Sequence, residues 1–206
     1  MNRPNPPKEY KVFLSKYDVS LNIAHNAIRI DNSADPNNPE RHAPSVTVDN
    51  QSGANGPVII VAWYEKTTAG PEYVVHRRLQ IPSSTSVIWL DSNPVRVNDP
   101  LSAPAGVNRA AFPSVATDAN NNFVVAWQAN VNNPTPTPNW NAFGKSYNAN
   151  ATPTPLKRDF RIDLAGRSSA AAPRVTRSSL AAKFASAWRD NRSGHYDVYT
   201  RVVPSM

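Results

Sequence analysis

The 206-residue sequence has no cysteine, only 7 glycines and only four glutamates, Glu9, Glu40, Glu65 and Glu72. The lack of cysteine excludes a disulfide scaffold, thiolate metal sites, iron–sulfur clusters and a cysteine nucleophile. The longest apolar run, Val58 to Trp63, is too short to cross a bilayer, so the chain is not expected to span a membrane. A glycine-rich phosphate loop and a Gly-x-Ser-x-Gly elbow are both missing. His25, His42, His76 and His195 lack a metal-ligand spacing such as His-x-x-x-His. No window carries an i, i+3, i+4, i+7 apolar stripe, which predicts very little helix. No cofactor is implied.

What the sequence has is proline, aromatics and positive charge. Its 22 Lys and Arg outweigh 15 Asp and Glu, for a net charge of +7 and a pI near 9.9. Such a balance can serve a phosphate backbone. Here the basic residues are spread out, with Arg77-Arg78 and Lys157-Arg158 the only adjacent pairs. No helix-turn-helix, zinc-finger or aromatic RNA-binding strand pattern accompanies them, so nucleic acid is not an expected partner. The shortage of glutamate makes the imbalance. Forty per cent hydrophobic residues and five tryptophans predict a packed core rather than disorder. The start, Met1 to Pro7, is polar and proline-rich, with no apolar stretch of the kind a secretory signal carries.

An internal repeat organises the rest. Ala43-Pro-Ser-Val-Thr-Val-Asp49, a turn and Val58-Ile-Ile-Val-Ala-Trp63 recur as Phe112-Pro-Ser-Val-Ala-Thr-Asp118, a turn and Phe123-Val-Val-Ala-Trp127. A degraded copy runs Ala172-Pro-Arg-Val-Thr-Arg177 and Phe184-Ala-Ser-Ala-Trp188. A second element follows each tryptophan, at 74–79, 142–147 and 198–203, and an extra copy lies at 12–17. Short closing segments read Ala27-Ile-Arg-Ile-Asp31, Pro94-Val-Arg-Val-Asn98 and Phe160-Arg-Ile-Asp163. They alternate with period two, as half-buried strands do, whereas 58–63 and 123–127 are continuous runs suited to strands covered on both faces. Asp118 to Asn122 and Asp190 to Gly194 have the composition of hairpin turns.

Labelled A to D, the strands read C-D, A-B-C-D, A-B-C-D, A-B-C. This predicts an all-β, propeller-like fold of about three four-stranded antiparallel blades, with the N-terminal strands completing or extending the last blade. The expected organisation is a polar tail at 1–8 and one domain at 9–206, with repeats at about 43–99, 112–163 and 172–203 and a partial unit at 10–31. The pattern Pro-Ser-Val-x-x-Asp, a turn, Val-Val-Ala-Trp and a strand with arginine resembles the repeats of bacterial extracellular β-propeller proteins of the sialidase-like and lectin-like sort. That resemblance implies an extracellular or periplasmic location. It implies no catalytic residues: the Ser-x-Asp-x-Gly-x-Thr-Trp box of sialidases is missing, and Ile81-Pro82 follows Gln80 rather than arginine.

The candidate ligand-binding residues are Trp63, Trp127 and Trp188, which share one repeat position, and Trp140 on the proline-rich loop at 131–140. The first three end apolar runs, which favours packing between blades as their role. Asp118, Asn120 and Asn122 have the alternating oxygen spacing of a hard-cation loop, with hairpin capping as the competing role. Glu65 and Asp190, each just beyond a repeat tryptophan, are the one repeat-related carboxylate pair. With no carboxylate at the equivalent position of the middle repeat, after Gln128, the expected function is non-catalytic: a binding or scaffold subunit of an extracytoplasmic assembly, not an enzyme. Its open faces and proline-rich loop would contact a second copy or another protein subunit. A carbohydrate-binding lectin-like propeller is the alternative, and a sialidase-like glycosidase stands behind it.

Overall fold

The computed structural model describes residues 10–17, 20, 22–31, 39–49, 55–66, 72–83, 85–98, 109–120, 122–130, 140–149, 155–163, 170–177, 183–191 and 193–204. The tail at 1–8 and the loop positions 131–139 lie outside them. The regular structure of the described residues is all strand. An N-terminal hairpin of β1 (Phe13–Tyr17) and β2 (Ile23–Arg29) comes first. The first full unit holds β3 (Glu40–Asp49), β4 (Val58–Lys66) and β5 (Glu72–Ser83), with β6 (Ser86–Trp89) and β7 (Val95–Arg96) both paired to β5. The second unit is β8 (Arg109–Thr117), β9 (Asn122–Asn130), β10 (Trp140–Asn148) and β11 (Pro155–Arg161). A three-stranded sheet of β12 (Ala171–Arg177), β13 (Lys183–Asp190) and β14 (Asp197–Pro204) ends the chain. Each unit is an antiparallel meander, so the repeat periods correspond to stacked sheets in a propeller-like fold. One parallel bridge, Glu72 to Arg109, joins the first unit to the second.

The recurring residue-Pro-Ser-Val motif has a structural cause. Ala43, Phe112 and Ala172, each directly before a proline, have φ of 48°, 53° and 48°. The pairing register slips at the same places, between His42 and Ser45, Ala111 and Ser114, and Ala171 and Arg174. A β-bulge therefore kinks every inner strand at one point. Beyond the kink, Ser45 Oγ accepts the Val115 N–H at 3.2 Å and Ser114 Oγ accepts the Val175 N–H at 3.1 Å. Gln128 Oε1 accepts the Ala172 N–H at 2.7 Å. Side chains thus fasten each inner strand to the next, where no sheet ladder runs.

The closing segments act as anchors. Asp31 Oδ1 accepts the Val12 N–H and Asn98 Oδ1 accepts the Val74 N–H. Arg29 and Arg161 pair with Asp31 and Asp163 two residues on, which explains their recurrence better than a bare edge charge does. Arg77 and Arg78 are buried, so this adjacent basic pair is no surface patch. Arg78 grips Asp91 at 2.7 Å and reaches the Ala149 carbonyl of the second unit at 2.8 Å.

Apolar faces meet between the sheets. Val12, Ile30, Val61 and Trp63 pack the hairpin onto the first unit; Ile60, Val74, Phe123 and Trp127 join the first to the second; Ala126, Ala142, Ile162 and Trp188 join the second to the third. Within the middle interface His76 is fully buried, edge-on to Phe123 and Tyr147 at 5.1 and 4.8 Å. Neither ring nitrogen has a hydrogen-bond partner among the described residues. Burial pushes its pKa down to about 4; Asp91, 4.0 Å away, opposes that fall and Arg78 reinforces it.

A depressed folded-state pKa makes His76 stabilising at neutral pH. Its contribution is complete above the unfolded value near 6.5 and is lost as pH falls towards 4, where the unfolded chain takes up the proton first. The loss is roughly 3 kcal/mol. Urea unfolding at pH 7 and pH 4.5 should show this drop, and His76→Phe should flatten it; an unchanged drop in the variant would contradict the assignment.

Candidate functional site

The repeat tryptophans occupy equivalent interfaces. Trp63, Trp127 and Trp188 are 0, 1 and 3% exposed, while Trp140, the first residue of β10, is half-buried. Trp63 donates its indole N–H to Glu65 Oε1 at 3.0 Å. That carboxylate pairs with Arg41 at 3.3 Å, and Arg41 pairs with Asp31 at 3.2 Å. Burial alone would raise the Asp31 carboxyl; the hydrogen bond from Arg29, the charge of Arg41 and the Val12 N–H together hold it below its usual range. Asp118 Oδ1 accepts the N–H groups of Asn120 and Asn122 at 2.7 and 2.9 Å, and its Oδ2 accepts the Asn122 side-chain amide at 3.0 Å. Its oxygens thus cap the β8–β9 hairpin. Among the described residues no cluster of three or more His, Asp or Glu could hold a metal ion.

Chemistry on a glycan needs carboxylates within reach of solvent, and burial removes most of them. Asp31, Asp49, Glu65, Asp91, Asp118, Asp163 and Asp190 are buried. The nominated pair, Glu65 and Asp190, is therefore enclosed, and its members lie on strands of different sheets, β4 and β13. Among the described residues, Glu40, Glu72, Asp159 and Asp197 retain exposure. Asp159 is paired with Lys145 at 3.2 Å, and Asp197 accepts the Ser193 hydroxyl at 2.5 Å at the far end of the chain. Glu40 and Glu72 remain, and the register aligns them. Glu40 pairs with Lys66, and Lys66 pairs with Glu72.

These two carboxylates sit on one face because strand residues alternate sides. His42 and Tyr64 share that face one pair further along. Two interstrand spacings put the Cα atoms of Glu40 and Glu72 about 9–10 Å apart. Glu40 Oε2 lies 3.2 Å from His42 Nε2. The rings of Tyr10, His42, Tyr64 and Phe112 follow one another at centroid spacings of 4.9, 5.1 and 5.9 Å. Burial, then Glu72, then Glu40 raise the Tyr64 phenol above its ordinary pKa. Phe112 ends the row on the strained pre-proline residue, 41% exposed, where the other two repeats have alanine. Holding a bulky residue there costs of order 1–3 kcal/mol. Sequence reasoning missed this ledge because its members come from four strands and the segment before β1 and do not repeat; the one local signal was phenylalanine in an alanine position.

No protein-family model matches the sequence, and no curated protein matches it. Solved structures do match. The chain is similar to the α-L-arabinanase of Penicillium chrysogenum in complex with arabinobiose, at 12% identity and a TM-score of 0.53, over 94% of this chain and 56% of that one. It is likewise similar to the GH93 α-L-arabinofuranosidase of Fusarium graminearum with arabinobiose, at 11% identity and a TM-score of 0.51, over 97% and 58%. The chain spans little more than half the length of these proteins. The likeness establishes a shared propeller-type, all-β fold.

It also corrects an expectation. The chain is not to be read as a non-catalytic binding or scaffold subunit, nor as a non-enzyme by default, because the structures sharing its fold are arabinan-type glycoside hydrolases. The reason for the error is physical. The repeat relates only carboxylates at equivalent positions of successive units, whereas strand pairing brings together residues with no repeat relation.

The two kinds of carboxylate respond differently to substitution. Arg41→Ala takes from buried Glu65 its guanidinium partner and leaves Asp31 with its Arg29 pair, and should cost about 3–5 kcal/mol. Glu40→Gln, on the open ledge, should stay within about 0.5 kcal/mol of the parent. Chemical denaturation of both variants checks this; equal losses would remove the distinction between structural and accessible acids.

Proposed function

We propose that this chain is a carbohydrate-processing propeller of the glycoside hydrolase type, acting on arabinofuranose-containing glycans outside the cytoplasm. The observation that carries the reading is the aligned pair Glu40 and Glu72 beside a row of aromatic rings, on a fold shared with arabinan-degrading enzymes. Rings of this kind offer an apolar face to a sugar, and flanking polar groups fix its hydroxyls. The pair would act in the inverting arrangement, in which roughly 6.5–9.5 Å between carboxyl groups leaves room for a water. Glu72, half-buried beside Tyr64, would protonate the glycosidic oxygen as the C–O bond breaks. Glu40, oriented by His42, would take a proton from the water that attacks the anomeric carbon from the opposite side. Residues 9–206 would act as one propeller-like domain in this role.

The test is hydrolysis of p-nitrophenyl α-L-arabinofuranoside and of linear arabino-oligosaccharides, with the first-formed anomer read by NMR. Turnover with inversion is expected, and Glu40→Gln and Glu72→Gln should each lower kcat by about 100-fold or more while leaving sugar binding in place. Retained rates in both variants would overturn the assignment of the pair. Binding without turnover by the parent chain would favour the lectin-like reading instead.

A further inference from the structure

Equivalent strands begin at Val12, Val74 and Ala142, and each is covered on its outer side: β1 by β2, β5 by β6 and β7, and β10 by β11. Their first residues show how the backbone is aimed. Val12 and Val74 donate their N–H groups outward to Asp31 and Asn98, and the carbonyls of Val12, Val74 and Ala142 accept from the N–H groups of Ile30, Val97 and Ile162. Val198 holds the same place in β14, which among the described residues pairs with β13 alone. Backbone groups alternate sides along a strand, so Val198, Thr200 and Val202 turn their N–H and C=O groups to the open side.

An open edge of this kind is a template for another strand, and the other outer strands are blunted against it. β6 and β7 are four and two residues long, and the pairings of β2 and β11 are broken by register slips. β14 has neither device. It runs beside β13 for eight residues, from Asp197 opposite Asp190 to Pro204 opposite Lys183, without a slip. It also leaves apolar side chains in water: Val198 and Val202 are 76 and 59% exposed, and Tyr196, just before the strand, is 62% exposed.

The sequence of β14 is complementary to itself read backwards. Two copies set antiparallel about a two-fold axis at Tyr199 place Val198 opposite Thr200 of the partner subunit as a hydrogen-bonded pair, which joins the outward backbone groups. Asp197 then faces Arg201 of the partner subunit in a non-hydrogen-bonded pair, where side chains stand closer. One step further out, Tyr196 meets Val202 of the partner subunit, an aromatic ring against a β-branched residue. By symmetry each of these pairs forms twice. Sliding the register by two residues either way sets Asp197 opposite Val203 or Tyr199 and loses both ion pairs. Asp197 and Arg201 are exposed, and the groups they bond within the chain, the Ser193 hydroxyl and the Ile162 carbonyl, are neutral.

We infer that β14 is the interface of a homodimer, in which the two three-stranded sheets join edge to edge into one continuous antiparallel sheet. At a net charge of +7 two copies repel one another over most of their surface, and acid opposite base at this edge supplies the local complementarity. The inference does not rest on the hydrolase reading, because none of these residues belongs to the Glu40–Glu72 ledge.

Light scattering behind a sizing column, run on the whole chain over a dilution series, tests it. The expected mass is that of two chains. Asp197→Arg sets arginine against arginine and should raise the concentration of half-dissociation by about tenfold or more. Adding Arg201→Asp restores opposite charges in reversed order and should bring the dimer back. Thr200→Pro deletes an outward N–H, which an edge strand tolerates, and should give a monomer whose circular dichroism matches the parent. The amides of Val198 and Thr200 should be protected from hydrogen exchange in the dimer and lose that protection on dilution. A monomer at every concentration, or a dimer untouched by both Asp197→Arg and Thr200→Pro, would overturn the proposal. So would a double variant no tighter than Asp197→Arg, or amide protection in a chain that stays monomeric, which would mean that the edge is filled from within the same chain.

Discussion

Everything in this molecule hangs on how one sheet is held to the next without a continuous ladder between them. Inner strands of neighbouring units meet side by side, yet their backbones are joined by single side-chain bonds such as Ser45 to Val115 and Ser114 to Val175. Those bonds form because a bulge before each proline turns the strand and brings the following serine to the neighbouring backbone. Behind them, a tryptophan from each second strand fills the wedge between sheets. Polar bonds set the angle between units and apolar burial supplies the adhesion, at about 25 cal/mol for each Å2 of apolar surface removed from water.

Function follows from small departures within this repeated plan. Where the plan is complete, as around Trp63, Arg41 and its two carboxylates seal the interface and leave nothing to react. Where it is interrupted, as around Trp127, small residues take the place of the charged ones and the tryptophan stays buried. Where a large residue replaces a small one at the strained bulge, as with Phe112, an aromatic ring is pushed out to continue the row begun by Tyr10, His42 and Tyr64. A repeat protein can thus diversify without disturbing its frame, since each unit contacts mainly its neighbours.

The charge of the chain finds a similar explanation. Several arginines that make the sequence basic are internal: Arg41, Arg77 and Arg78 are buried against carboxylates and carbonyl groups, and Arg29 and Arg161 pair with the aspartates that end their strands. Guanidinium suits this work because it stays charged and spreads several donors in a plane, so one side chain can bridge two units. Arg78 does this when it binds Asp91 and the Ala149 carbonyl together.

The sequence alone determined the all-β, repeated-sheet architecture but not the place of the N-terminal strands. They were expected to complete or extend the last blade and instead form a separate hairpin packed on the first unit, because apolar burial against Val61 and Trp63 decides where they dock. Strand after strand was legible in Val58 to Trp63, Phe123 to Trp127 and the Ile-Asp endings, because period-two alternation and β-branched runs are local properties that survive in any fold containing them. The spacing of the tryptophans carried the stacking of the units, and the composition of Asp118 to Asn122 carried the hairpin it forms. What tertiary structure decided was proximity. Glu40, Lys66 and Glu72 line up only through pairing across three strands, and His76 becomes a buried neutral base only when Phe123 and Tyr147 of the next unit close over it. The same holds for the acids: Glu65 and Asp190 stand out in the sequence because each follows a repeat tryptophan, yet packing encloses them and leaves Glu40 in reach of solvent. Burial and long-range register are not written in any window of the chain, since both depend on which residues the rest of the molecule brings alongside.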